Sequence, residues 1–434
     1  MQSKFHHSTL TAVVIANMIG TGVFTSLGFQ LLEIQSGFAI LMLWALGGLI
    51  AVSGSMTYAE LGAALPRSGG EYNFLAKIYH PCAGFVSGWV SATIGFSAPT
   101  ALAAITFSSY LMSIFPDADT EWTRKAIACA LIIILAQIHS SNRERSGGLQ
   151  MSFTVLKISV IVLFCIGAFV FSNNIQPISF YPDKDDIDTI FSGSFAISLI
   201  YVSYAYTGWN AATYLSSELQ NPQKTLPWIL LSGTLIVSVL YILLNFVFLS
   251  IAPIEDMQGK IEIGYIASKS AFGESAANFT GLALALLLIS TVSAMTLAGP
   301  RVLHVIGEDF KMLSFLSKVN KNGIPTMAIQ IQSLLAIVFI VTSSFESILV
   351  FAGFTLALNS FITVSGVFVL RFIRPDIERP YKASLFPLPP LIYLSLTGWT
   401  LYFVIANRPM EVLFSAAIIL SGIIFYFISV KSSQ

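Results

Sequence analysis

The sequence predicts an all-α integral membrane protein of about twelve transmembrane helices, and three observations predict it. Of the 434 residues 55% are hydrophobic and 10% charged, against about 25% charged in soluble domains; the mean hydropathy is +0.78. Uncharged runs close to or above the roughly 20 residues that a spanning helix needs recur from end to end. The basic residues are unevenly shared between the segments that join those runs. A formal net charge of zero leaves no basic excess to attract nucleic acid, so the partners expected are the lipid bilayer and a small solute.

In chain order the uncharged runs cover 8–32, 34–59, 78–116, 126–142, 189–217, 225–254, 275–300, 322–345, 347–370, 383–407 and 412–430. A twelfth, 151–171, is interrupted only by Lys157. The run 78–116 is too long for one helix and is expected to begin as an interfacial segment. With the N-terminus inside and sides alternating, the inner segments hold fifteen basic residues: Lys4, Arg67, Lys77, Arg143, Arg145, Lys224, Arg301, Lys311, Lys318, Lys321, Arg371, Arg374, Arg379, Lys382 and Lys431. The outer segments hold six: Arg124, Lys125, Lys184, Lys260, Lys269 and Arg408. The positive-inside rule reads this as cytoplasmic N- and C-termini. No cleavable signal peptide is expected, because no small-residue cleavage site follows the first run. The short tails suit a multi-pass protein of a prokaryotic inner cell membrane.

Lys157 carries the first functional signal. It sits near the middle of its span, where a charge costs roughly 2.5–3.5 kcal/mol on insertion scales and normally faces a cavity, an ion path or a partner. The bland alternative is snorkelling to the interface, which is easy near helix ends; Lys157 is roughly three turns inside at 1.5 Å per residue.

Two spans contain breaks. The first holds Gly20-Thr21-Gly22 at its centre, where each glycine weakens a helix by roughly 1 kcal/mol. The sixth is interrupted at Tyr206-Thr207-Gly208-Trp209. Breaks at corresponding places in two halves point to the binding site of a secondary transporter. A broken helix frees N–H groups that favour an anion and carbonyls that favour a cation, so one zwitterionic amino acid would satisfy both. Taken alone, a Gly-x-Gly is a packing motif as often as a site. A dinucleotide-binding reading fails, since no strand precedes these glycines.

At these residues the chain resembles the amino acid–polyamine–organocation (APC) transporters, and within them the L-type amino acid transporter branch and its bacterial relatives. Four stretches carry the likeness: Asn17 to Phe24; Tyr58-Ala59-Glu60-Leu61-Gly62 with Pro66 to Tyr72; Ala205 to Asn210 with Glu218, Asn221 and Pro222; and Gly299 to Leu303. The resemblance implies a LeuT-type fold of five plus five inverted-repeat helices in a single domain. The repeats would cover about 8–172 and 189–373, with extra helices at about 386–430. It implies that the backbones of Thr21 and Gly22 and the Thr21 hydroxyl bind the substrate carboxylate, beside Gly20. The carbonyls of Met18, Ile19, Tyr204 and Thr207 would take the ammonium. Gly208, Trp209 and Asn210 complete the expected site, with Tyr204 as an aromatic lid. Lys157 would replace a sodium ion, reaching a carbonyl of the first helix and a hydroxyl such as Ser290, Thr291 or Ser293.

The chain departs from the family pattern at Thr207, where many relatives have glycine. A threonine narrows the pocket and favours small or mid-sized neutral amino acids. Glu60 is the only acid that stands out inside a span, and a dibasic substrate would need a carboxylate or a cation–π box in the pocket. The outer loop 115–123 has no cysteine, so no disulfide-linked partner subunit is expected. Cys82, Cys129 and Cys165 read as structural thiols. Neither cofactor nor metal is expected, and the histidines show no ligand spacing.

The function expected is a sodium-independent amino-acid exchanger with Lys157 as a fixed cation. A proton symporter that cycles a proton on Lys157 is the alternative. A non-transporting sensor would be expected to carry a soluble output domain, a channel suits twin broken helices poorly, and a membrane enzyme lacks a nucleophile–base pair.

Overall fold

The computed structural model describes residues 7–67, 69–141, 146–172, 175–219 and 221–431. Lys4, Arg143 and Arg145 of the charge count lie outside the described residues. The described residues form helices and no strands, in the order α1 (His7–Met18), α2 (Gly22–Gln30), α3 (Gly37–Ala64), α4 (Glu71–Ile78), α5 (Pro81–Val90), α6 (Ser97–Met112), α7 (Glu121–Ser141), α8 (Ser146–Phe171) and α9 (Lys184–Ile190). The order continues with α10 (Gly193–Ala205), α11 (Pro222–Ile251), α12 (Ile254–Met257), α13 (Ile263–Phe272), α14 (Glu274–Asp309), α15 (Thr326–Thr342), α16 (Phe345–Ile373), α17 (Leu388–Asn407) and α18 (Pro409–Lys431). Among the described residues nine stretches are long and apolar enough to cross a membrane, the first being Leu10–Gln30, which runs from α1 through α2. The shorter 155–171 and 326–342, with the bent pair formed by α9 and α10, bring the number to the twelve expected.

The helix starts are written in the sequence. Ser36, Ser192 and Ser344 each accept a hydrogen bond from the backbone N–H three residues on, at 3.1 Å, which satisfies one of the free donors of a first turn. His80 caps α5, with Pro81 at its first position, where the missing N–H costs nothing. That cap corrects the reading of 78–116. The run is not an interfacial piece followed by a helix; Pro81–Met112 forms one 32-residue span. A π-helical turn at Ser91–Gly95 joins α5 to α6 within it, and such turns are often found at functional sites.

α3 packs most extensively on α11, and α14 on α6. The outermost helix α18 turns Leu413, Phe414, Ile424 and Phe427 outward; in a membrane protein such side chains meet lipid rather than water. Polar side chains tie the helices together near both ends of the bundle. Near one end Arg371 of α16 donates to both oxygens of Glu60 on α3, at 2.8 and 2.7 Å, and the Ala383 N–H adds a third bond at 2.8 Å. The same guanidinium lies 3.5 Å from the Phe386 ring centroid. Near the other end Tyr201 of α10 and Arg408 both donate to Glu346 of α16, at 2.8 and 2.5 Å. Beside them Phe29 of α2 stacks on Phe345, centroids 5.5 Å apart.

Glu60 is almost fully enclosed, so removing its principal partner leaves a buried charge short of donors. Arg371→Ala is expected to destabilise the protein by about 1.5–3 kcal/mol, the worth of hydrogen bonds to a charged group. Thermal unfolding of purified protein in detergent would read this as a lowered Tm, while Arg374→Ala, at an exposed site, leaves Tm nearly unmoved.

Candidate functional site

Both expected breaks are present, and they lie against each other. The first helix stops at Met18 and resumes at Gly22. The sixth crossing stops at Ala205, turns through 206–210 and continues as a 3₁₀ segment, Ala211–Glu218. A Cβ on Gly22 would fall 2.5 Å from the Ala205 Cα. Gly208, at φ +100°, would place a Cβ 2.7 Å from the Asn17 carbonyl carbon. The glycine of each break is thus pressed on the end of the other crossing's first half. Only glycine permits either approach, and only glycine accepts the second φ without strain.

The ends so exposed carry free carbonyls, and Tyr241 of α11 serves two of them. Its hydroxyl points at the Met18 carbonyl, 2.5 Å away, and the Ala205 carbonyl, 3.1 Å away. One phenolic proton is shared between the two half-helix ends.

A cavity of about 920 Å³ opens beside the crossing. Met18, Gly20, Thr21, Gly22, Tyr204, Thr207, Gly208, Trp209 and Asn210 all line it, and it extends to Arg67 and Arg301. Ile19 is fully buried behind the wall. Thr21 precedes α2 and makes no side-chain capping bond, so the first-turn N–H groups of α2 lack that partner and can address an anion in the cavity. The Tyr204 phenol faces the Thr21 side chain.

Three of the four carbonyls that the resemblance assigns to an ammonium have protein donors already. Met18 has Tyr241. Ile19 accepts from Lys157 Nζ at 3.1 Å, and the same ammonium donates to Thr291 Oγ1 at 2.9 Å. Tyr204 accepts from Thr207 Oγ1 at 2.7 Å, which turns that hydroxyl back onto α10. The Met18 carbonyl also accepts from the Gly20 N–H at 2.8 Å and the Tyr204 carbonyl from the Thr207 N–H at 2.9 Å, so both lone pairs of each are engaged within the protein. Lys157 itself stands behind the first break and is not part of the cavity wall. Ser290 bonds its own helix and Ser293 bonds His139. Trp209 packs edge-on against Tyr58, centroids 4.6 Å apart, while Asn210 donates to Glu71 at 3.2 Å.

Glu71 is the functional-site residue that sequence reasoning missed. It lies outside the spans, in a loop-to-helix segment after Gly69-Gly70, and yet it lines the cavity. Glu60 remains the acid that stands out inside a span, while α4 folds its first residue, Glu71, back into the cavity wall. Its position at the first turn of a short helix is the only signal that could have marked it. Tyr241 was equally hidden; in sequence it is one aromatic in an apolar run.

A model of the family described as amino acid permease matches residues 5–430. The chain belongs to the amino acid permease family. Among curated proteins, this permease is 28% identical over 431 residues to the mouse b(0,+)-type amino acid transporter 1, covering 96% of the chain and 86% of that relative. It is 28% identical over 433 residues to the mouse large neutral amino acids transporter small subunit 2, covering 96% and 79%. Membership of this family accords with the LeuT-type arrangement of helices and broken crossings, and the permease is a multi-pass membrane protein of a family of amino-acid transporters.

Replacing Tyr241 with phenylalanine keeps the ring and withdraws the donor from Met18 and Ala205. Tyr241→Phe is expected to cost about 1–3 kcal/mol, the penalty for an unsatisfied buried acceptor. The check is thermal unfolding of the purified permease, with a Tyr265→Phe control whose hydroxyl makes a more exposed bond.

Proposed function

We propose that this permease is a sodium-independent exchanger of small or mid-sized neutral L-amino acids, working by alternating access in the cell membrane with both termini cytoplasmic. The observation that carries the reading is the crossing of two broken helices over one cavity, with Lys157 bonded to the Ile19 carbonyl from behind. The substrate carboxylate would take the free N–H groups at the start of α2 and the Thr21 hydroxyl. The ammonium would take the carbonyls of Met18, Ile19, Tyr204 and Thr207, sharing or displacing the protein donors on the first three. Tyr204 would cover the bound molecule, and Gly20, Gly208, Trp209 and Asn210 would shape the walls.

Sodium independence is supported by the Lys157 ammonium, which supplies at the first break the positive charge that a metal ion would otherwise bring. Neutral substrates are supported by Thr207, whose methyl narrows the cavity, and by Glu71, whose oxygens are occupied by neutral donors. The inverted repeats at about 8–172 and 189–373, with helices at about 386–430 added, would supply the moving and fixed parts. The three cysteines lie in helices, which supports a chain that works without a disulfide-linked subunit, whereas the second relative is by name a small subunit.

Uptake of radiolabelled alanine into proteoliposomes tests the reading. Uptake is expected only when the lumen is preloaded with unlabelled amino acid, and to be indifferent to sodium. Uptake into empty vesicles under an inward proton gradient would replace exchange with proton symport. Two variants test the site. Lys157→Ala loses two charge-assisted bonds, each worth about 1.5–3 kcal/mol, and exchange should fall at least about tenfold, since 1.4 kcal/mol is one decade. Thr21→Leu should weaken alanine binding by about tenfold or more, by loss of a hydroxyl donor and added bulk, with Tm little changed; undiminished binding would remove the first break from the site.

A further inference from the structure

Glu71 has a setting that the transport reading leaves unused. It is 3% exposed, and its partners come from three other parts of the chain. Tyr58 of α3 and Asn359 of α16 donate to it. Asn210, just past the sixth break, donates to Oε1 at 3.2 Å, and Ser360 of α16 donates to Oε1 at 2.9 Å. The titratable groups that face it are phenols: Tyr58 of α3, Tyr214 of the segment after the sixth break, and Tyr393 of α17. Among the described residues no lysine, arginine or histidine pairs with it.

A buried carboxylate without a cation is costly, and this one borders a cavity through which solutes pass on the reading above. What positive charge fits it can be read from the geometry. A carboxylate offers about four lone-pair positions. Oε1 already accepts from Tyr58, Asn210 and Ser360, and Oε2 accepts from Asn359. The near-total enclosure leaves no edge for a guanidinium or an ammonium. The surrounding groups present N–H and O–H, not the cage of six or more oxygens that calcium takes, nor the octahedron that magnesium demands. The Tyr214 side chain hydrogen-bonds the carboxylate as well; a proton needs only one lone pair, which one of the surrounding hydroxyls of Tyr58, Ser360 or Tyr214 frees by turning from donating to accepting.

We propose that Glu71 is a proton-binding site of the transport cycle. Ionised, it holds α3 and the segment after the sixth break to α16. Protonated, it keeps the same neighbours through neutral hydrogen bonds roughly half as strong as charge-assisted ones, and the tie between these helices loosens. The proton is bound from solution and returned to it, with no other bond made or broken. This inference rests on the alternating-access reading, because it assigns the tie to helices that must shift in it.

Burial pushes the Glu71 carboxyl up from the ordinary carboxylate range, and its hydrogen bonds offset part of that rise. Protonation therefore sets in as pH falls, above the value of about 4.3 for a free glutamate. The expected result is an exchange rate that rises as pH on the Arg67 side is lowered through that window.

The test uses the full chain in proteoliposomes, with alanine exchange measured at several pH values, and Glu71→Gln as a fixed mimic of the protonated form. The wild type should change rate about fivefold or more across the window, and the variant less than about twofold, since a single titrating group sets the slope. A Glu71→Gln profile that parallels the wild type overturns the proposal. Infrared difference spectra of the purified protein supply a reading independent of transport and of how well the variant folds. A carboxylic-acid C=O band should grow as pH falls and shift in Glu71→Asp. Its absence from the wild type overturns the proposal as well. If the wild type shows no alanine exchange, the transport reading fails, and the band alone decides whether Glu71 binds a proton.

Discussion

The architecture around the cavity depends on one constraint: two interrupted helices must cross with their backbones almost touching. Gly22 lies on Ala205 and Gly208 on Asn17, so the two breaks form a reciprocal pair. A helix that stops inside a membrane strands carbonyls and N–H groups where no water can serve them. Here Tyr241 and Lys157 serve carbonyls of the first break, while the N–H groups of α2 face the cavity. The protein satisfies most of the cation-seeking side and leaves the anion-seeking side more open. On the transport reading proposed above, a carboxylate is the group that would complete the arrangement.

Much of this was legible in the sequence, for identifiable reasons. Span positions follow from composition, since a membrane rewards long apolar runs, and a Ser or His cap marks where four of the helices begin. The breaks were visible because Gly20-Thr21-Gly22 and Thr207-Gly208 put weak helix formers where a helix should be strongest. Lys157 was visible because charge is rare there. Other features were not legible because they arise from the third dimension. Glu71 reaches the cavity through the path of a loop, and Tyr241 matters through the carbonyls it faces. The long run 78–116 misled for the opposite reason: apolarity reports where a helix can lie, but His80-Pro81 decides where it starts.

The two polar clusters differ in character. The Glu60–Arg371 cluster is a charged tie with an aromatic ring against the guanidinium, and it joins α3 to α16 and to the chain leading into α17. The Glu71 cluster joins α3 to α16 as well, but with neutral partners throughout. One tie is matched charge for charge. The other is a lone negative charge among dipoles, so its strength is free to vary with ionisation.

Phe345 and Glu346 are adjacent residues in the first turn of α16, and they hold different helices. Phe345 stacks on Phe29 of α2, while Glu346 accepts from Tyr201 of α10. One turn of one helix therefore clasps the second halves and first halves of the two broken crossings at once. Swinging α16 away from α2 also parts it from α10, because neighbouring residues on a rigid turn cannot move independently.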